Sequence, residues 1–388
     1  MKKVINLNEL EKNDQALFPA FEYNNIPIVL VSSEYYVPYV SVLIESIKKY
    51  SSKDNNYDII ILHSSIHKDF QNRIKDSVTE YNNISIRFFN ASNRMDTSNL
   101  FVAAKYYSIE AYYRILTPWI LHNYDKAIVM DSDLILLCDI ANLFNINISD
   151  FSLGAVKDIA YQGFLNGAVS GTLEYAKSVL KLRNPYNYVN TGVLLMNLKK
   201  IRNNTSEYEL VSFCKNHHFN IQEQDGLNVF FDGDIKPINL KWNYYVEVNP
   251  LIKTAIESAP EDAKNKYRNI DKYSLNNASP FIIHYANQPK PWDDPNGKYA
   301  EIWWGIAQKS SFYPIILYRM MQSICNSYQP VMEDKHMSLN VQISFARKVA
   351  DKFFPKGSSR RGALKKVIPK NSPQWNLLKK IYHIFSFH

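Results

Sequence analysis

Three short strand-like runs rich in apolar and β-branched residues, Pro27–Val31, Tyr57–Leu62 and Ile84–Phe89, constrain this chain most, because a stretch of helical periodicity separates each from the next. Val37 to Lys49 carries Val40, Leu43, Ile44 and Ile47 on one face, and Asp69 to Tyr81 reads as a second helix. Parallel strands need a crossover connection, and a crossover helix covers one face of the sheet. The predicted architecture is therefore α/β, a mostly parallel central sheet flanked by helices. Its ligand crevice is expected at the loops beyond the carboxyl ends of the strands. Further strands are expected at Val193–Met196 and Phe281–Ile283, the latter ending at His284, and a helix over Gln224–Phe231. With 388 residues, 46% of them hydrophobic, the chain is long enough to bury a large core.

The run Ala127–Met130 reads as a buried strand that ends by presenting Asp131-Ser132-Asp133 beyond the sheet edge. Carboxylates one residue apart on a straight strand face opposite sides, so both reach one cation only where the chain turns as it leaves the sheet. A second pair of this spacing, Asp232-Gly233-Asp234, follows Val229-Phe230-Phe231 and reads as a glycine-containing turn. The spacing alone is therefore weak, and the company of the first pair decides.

Cys138, Cys214 and Cys325 are far apart, without disulfide or zinc spacing, which fits a reducing cytoplasm. Met1 to Gln15 lacks the apolar stretch of a signal peptide, and no run approaches the length that spans a bilayer. The net charge of +8 is uneven: residues 340–388 hold eleven bases against one acid, and residues 1–339 sum to −2. In that tail Trp375, Leu378, Ile381, Tyr382 and Phe385 share one helical side, the pattern of a peripheral anchor on anionic lipid. A C-terminal helix docked on the main domain is the other reading. Nucleic-acid binding is not expected, because the bases bunch at one end with no reading module beside them.

Ordered blocks carry a resemblance to a known family. They are Ile28-Val29-Leu30-Val31-Ser32-Ser33-Glu34-Tyr35-Tyr36, Tyr112-Tyr113-Arg114, Met130-Asp131-Ser132-Asp133, Asn190-Thr191-Gly192-Val193-Leu194-Leu195-Met196-Asn197-Leu198, Gln222-Glu223-Gln224-Asp225-Gly226-Leu227-Asn228, and His284-Tyr285 ahead of Lys290-Pro291-Trp292. Over roughly residues 26–300 the chain resembles glycosyltransferase family 8, retaining enzymes that use sugar nucleotides. The resemblance implies a GT-A-type fold, an N-terminal extension over 1–25 and a helical C-terminal region over 301–388 with a basic tail.

It also implies site roles. Asp131, Asp133 and His284 would hold one Mn²⁺ or Mg²⁺ that bridges the donor diphosphate, and a nitrogen ligand beside carboxylates favours manganese. Val31, Ser33, Tyr36, Asp131 and Ser132 would face the UDP moiety, Tyr36 by stacking on uracil. Arg114, Asp158 and Asn190 would bind the donor sugar, Glu223 and Gln224 would sit near the anomeric carbon, and Lys290 would offset charge on the β-phosphate. The implied reaction moves a hexose from UDP-glucose or UDP-galactose onto a bacterial surface-glycan precursor, an oligosaccharide or glycolipid, with an α-linkage.

The chain departs from the family at Ser33, where an aspartate commonly meets the uracil edge, and at Tyr35. The loop Tyr285-Ala286-Asn287-Gln288-Pro289 lacks the usual glycine. Bland readings stand beside the functional ones: His284 as a core histidine, Arg114 as a surface base, Asp158 as a loop-starting carboxylate, Asn190 as a turn residue. Retention by same-face attack is favoured, with Asp158 or Glu223 as a transient nucleophile the other route. Two further classes compete, an aspartate-dependent phosphotransferase and a non-catalytic nucleotide-sugar-binding protein. The first normally continues from its aspartates into Gly-Thr, whereas here Leu134-Ile135-Leu136-Leu137 follows.

Overall fold

The computed structural model describes residues 17–95, 100, 109–270 and 279–327. The expected strands form as β1 (Asn25–Val31), β2 (Asn56–His63), β3 (Ile84–Asn90) and β4 (Ala127–Met130). They are followed by β5 (Leu134–Leu136), β6 (Leu153–Lys157), β7 (Val189–Met196), β8 (Ile235–Pro237), β9 (Tyr244–Tyr245) and β10 (Ile282–His284). Among the described residues, seven strands make one sheet in the order β3-β2-β1-β4-β7-β6-β8, and β5-β10-β9 make a second.

The large sheet is mostly parallel: β1 pairs in parallel with β2 and β4, β2 with β3, and β6 with β8. Strand β7 runs against both its neighbours, with Val193 opposite Met130. This reversal lays the start of β7, Asn190 to Gly192, beside the carboxyl end of β4. The second sheet was not evident in the sequence. It pairs His284 with Leu134 on one side and with Tyr245 on the other, which holds the end of β10 against the segment that leaves Asp133.

Side-chain alternation along β1 divides the core in two. Ile26, Ile28 and Leu30 join the core that includes Val40, Leu43, Ile44 and Ile47 of the Val37–Tyr50 helix, while Val29 and Val31 join Tyr112, Tyr113 and Leu116 on the other face. Each such fully buried aliphatic side chain contributes about 1.5–3 kcal/mol. The helices Ala300–Ala307 and Tyr313–Ser327 add Trp303, Ile306 and Ile316 to the first core. The second predicted helix spans Lys68–Asp76, short of Tyr81. Beyond it Ser77 and Thr79 donate their hydroxyls back to the carbonyls of Ile74 (2.7 Å) and Asp76 (3.0 Å), a local alternative to further helix.

Candidate active site

All thirteen residues expected at the site, from Val31 and Ser33 to His284 and Lys290, line one cleft. It lies where the carboxyl ends of β1 and β4 meet the start of β7. Strand β4 stops at Met130, and Asp131 donates its backbone N–H to Gly192 O at 2.9 Å. Ser132 then donates its hydroxyl to Val31 O at 3.0 Å, Tyr285 N–H is held by Asp133 O at 3.1 Å, and β5 begins at Leu134. The chain passes from one sheet to the other across these three residues. That passage supplies the turn that brings two carboxylates of such spacing to one side.

One ligand atom each from Asp131, Asp133 and His284 lies within 4.8 Å of the others. His284 Nε2 is 3.3 Å from Asp133 Oδ1 and 3.7 Å from Asp131 Oδ2. Asp133 Oδ1 is buried and makes no hydrogen bond. Its other oxygen accepts a hydrogen bond from Lys290 Nζ, which also donates to Tyr285 O at 2.8 Å. Burial alone would push Asp133 up, yet Lys290, joined by His284 whenever its ring is protonated, outweighs it and holds the carboxyl well below the usual range. Gly192 makes the convergence possible: a Cβ there would lie 2.4 Å from His284 Cε1 and 2.9 Å from Asp131 Oδ2. Two carboxylates and an imidazole nitrogen, with one buried oxygen unsatisfied, fit a divalent cation.

The opposite side of the cleft is a closed hydrogen-bond mesh. Arg114 lies in the 3₁₀ helix Ile109–Leu116 and is only 3% exposed, so it is no surface base. It pairs with Asp131, donates to Thr191 O at 2.7 Å and sits 3.5 Å from Glu223. Burial raises Glu223 above the ordinary carboxylate range, with Arg114 opposing the shift. Asp158 caps the helix Ile159–Gly163 by accepting from Tyr161 N at 2.9 Å. Its second oxygen accepts from Asn190 Nδ2 (3.1 Å) and Gln224 Nε2 (3.4 Å). Gln224 Oε1 in turn accepts from Thr191 N at 3.0 Å. Asp158 is thus both the loop-starting carboxylate of the bland reading and a wall of the cleft.

At the far end Tyr36 meets Trp292 edge-on at 6.3 Å, and Trp292 stacks on Tyr39 at 3.9 Å. The loop after His284 has no glycine, but Asn287 takes φ 65°, a left-handed conformation that asparagine tolerates. Asp232 and Asp234 serve a turn: Asp232 accepts from Arg183 N at 2.8 Å, Asp234 from Lys200 Nζ at 2.6 Å, and Gly233 has φ 88°. Sequence reasoning missed Asn243, a buried residue that bonds both His284 and Asn190 at 2.8 Å. Its neighbours Trp242 and Tyr244 make it look like part of an ordinary core segment.

The mostly parallel α/β sheet, with an acidic pair beyond β4 and a histidine at the end of β10, has the GT-A fold of the solved glycosyltransferases it superposes on. The chain belongs to the family described as Glycosyl transferase family 8, whose profile matches residues 27–296. GlyF of Streptococcus pneumoniae serotype 4, a glycosyltransferase, is 24% identical over 281 residues, 71% of this chain and 60% of GlyF. The bifunctional glycosyltransferase WbbM superposes with a TM-score of 0.70 at 24% identity, over 79% of this chain and 53% of that one. The galactosyltransferase LgtC, solved with donor and acceptor sugar analogues, gives 0.56 at 20% identity, over 74% of this chain and 96% of LgtC. The chain thus spans little more than half the length of GlyF and WbbM.

Proposed function

We propose that this chain is a metal-dependent retaining glycosyltransferase that moves a hexose from UDP-glucose or UDP-galactose to an oligosaccharide or glycolipid precursor of a bacterial surface glycan, forming an α-linkage. One observation carries the reading: Asp131, Asp133 and His284 converge within 4.8 Å in a cleft whose opposite wall is a mesh of sugar-compatible donors and acceptors. Family membership and the sugar analogues named for LgtC support a donor and an acceptor in that cleft.

In this reading Asp131, Asp133 and His284 hold a Mn²⁺ or Mg²⁺ ion, which when bound supplies a Lewis acid for charge on the leaving diphosphate. Lys290, already beside Asp133, adds a second positive charge on that side. Tyr36 stacks on the base, and Val31, Ser33 and Ser132 shape the nucleoside end. Arg114, Asp158 and Asn190 orient the sugar hydroxyls, with Glu223 and Gln224 beside the anomeric carbon. Gln224 is a poor nucleophile, and both oxygens of Asp158 already accept hydrogen bonds, which favours same-face attack over a nucleophilic Asp158; Glu223 is the remaining candidate for a covalent route. Positioning of the acceptor hydroxyl supplies much of the remaining rate.

We assign the catalytic domain to residues 26–300, completed by the two helices that follow, with 1–25 as an extension. The amphipathic tail at 340–388 lies outside the described residues; its proposed role is peripheral contact with anionic lipid at the cytoplasmic face. No helix among the described residues is long and apolar enough to cross a membrane. The test is purified protein with Mn²⁺ and a panel of nucleotide sugars, scored for slow donor hydrolysis. Hydrolysis of a UDP-hexose that EDTA abolishes is expected; hydrolysis of none, or indifference to EDTA, would refute the proposal.

A further inference from the structure

A chain of hydrogen bonds runs beneath the cleft, and its direction is fixed at one end by a group that has no choice. The backbone N–H of Gly192 can only donate, and it donates to Asn190 at 2.9 Å, so that atom is Asn190 Oδ1. Asn190 Nδ2 therefore faces Asp158, where it donates at 3.1 Å. Asn190 Oδ1 also accepts at 2.8 Å from Asn243, which must be presenting its amide nitrogen. The oxygen of Asn243 is then the atom 2.8 Å from His284 Nδ1, and a carbonyl oxygen can only accept. The proton of a neutral His284 consequently sits on Nδ1, and the lone pair of Nε2 points toward Asp131 and Asp133.

We propose that Asn243 is the positioning residue that fixes the tautomer and orientation of His284 and ties the cation-binding wall of the cleft to the donor-sugar wall. This rests on the reading of Asp131, Asp133 and His284 as cation ligands. Asn243 is 2% exposed, so no water replaces either bond at low cost. It ends a 3₁₀ turn, Leu240–Asn243, and precedes β9, which pairs with β10 beside His284. The imidazole is also confined sterically, by the space that Gly192 leaves and by the Tyr245 ring at 5.8 Å. Sterics fix the ring plane; among the described residues Asn243 is the partner that holds a proton on Nδ1. A histidine that binds a metal through one nitrogen needs that definition from a partner on the other.

The same amide serves both walls by opposite ends, so two substitutions separate its functions. Asn243→Leu removes acceptor and donor together. Asn243→Asp keeps an acceptor for His284 Nδ1–H but cannot donate to Asn190 Oδ1. Mn²⁺ is titrated into wild type, both variants and His284→Ala, with free Mn²⁺ read by electron paramagnetic resonance, and the KM for the UDP-sugar is measured in parallel. Asn243→Leu is expected to weaken Mn²⁺ binding about 10- to 100-fold. Asn243→Asp is expected to keep Mn²⁺ affinity near wild type while raising the donor KM about tenfold. Wild-type Mn²⁺ affinity in folded Asn243→Leu would overturn the inference. So would Asn243→Asp that loses Mn²⁺ as fully as His284→Ala, and this arm stands even where the leucine variant does not fold. Wild type that binds no Mn²⁺, or His284→Ala that binds it normally, would instead overturn the metal reading and the inference with it.

Discussion

The two walls of the cleft hold their polar side chains in opposite states. On the proposed cation side charge is concentrated and incompletely satisfied: Asp133 Oδ1 is buried without a hydrogen bond, and its nearest partner groups come from the second sheet, His284 at the end of β10, and from the loop that follows it, Lys290. On the sugar side Asp158, Asn190, Gln224 and Thr191 satisfy one another, beside the paired Arg114 and Glu223, in a mesh that exists before any ligand arrives. The difference teaches how the work divides. An unsatisfied buried carboxylate costs stability unless a cation joins it, whereas a saturated mesh holds its geometry and exchanges individual bonds for substrate hydroxyls.

That contrast breaks most sharply if the cation wall is dismantled. Asp133→Ala should reduce Mn²⁺-dependent donor hydrolysis by about a thousandfold, since in the proposed reading it removes a ligand of the cation that offsets leaving-group charge; near-wild-type turnover would erase the distinction. Gly192→Ala should follow, with a loss of about a hundredfold in kcat, because the new methyl displaces His284 and Asp131 by a good fraction of an ångström. A crystal structure of this variant with His284 unmoved would contradict the steric argument.

On the sugar wall the effect should be smaller and different in kind. Asp158→Asn keeps the helix cap but places an amide against two amide donors, so the donor KM should rise about tenfold while Mn²⁺ affinity stays unchanged. An equal loss of Mn²⁺ binding would show that the walls are not separable there. Outside the cleft, removing residues 340–388 should weaken binding to anionic liposomes and leave donor hydrolysis intact; unchanged liposome binding refutes the anchor.

The smallest effect concerns His63, at the end of β2. Burial, with Lys68 adding to it, lowers its pKa from 6.5 to about 4, and its Nδ1 accepts from Ile66 N at 3.2 Å. The unfolded chain then binds the proton first, so stability falls as pH drops from about 6.5 toward 4 and levels off below. The thermal midpoint of His63→Gln should lose that component of the slope; parallel pH profiles would contradict it.

The parts of the molecule legible in the sequence are those whose pattern is long enough to have a period. Strands β1 to β3 and the Val37–Tyr50 helix stand out because several alternating or helically spaced apolar residues agree. Strand β5, three residues long, has no period to show, and β9 has two residues. The start of β7 looked like a turn, since Asn190-Thr191-Gly192 is polar and small; it is buried strand, with Asn190 and Thr191 lining the cleft. The direction of β7, which joins the two walls, is encoded in no local pattern. Single site residues were equally ambiguous: Arg114 resembles a surface base until a 3₁₀ turn buries it against Asp131. Their order along the chain made the cleft readable. Asn243 lay outside the blocks that carry that order, and only the fold reveals what it touches.

The most direct measurement is anomalous diffraction at the manganese edge from crystals soaked with Mn²⁺ and UDP. A single peak within coordinating distance of Asp131, Asp133 and His284 Nε2, with the diphosphate on its open side, is the predicted result. A peak elsewhere, or UDP bound in the cleft with no manganese at those three side chains, would contradict the account.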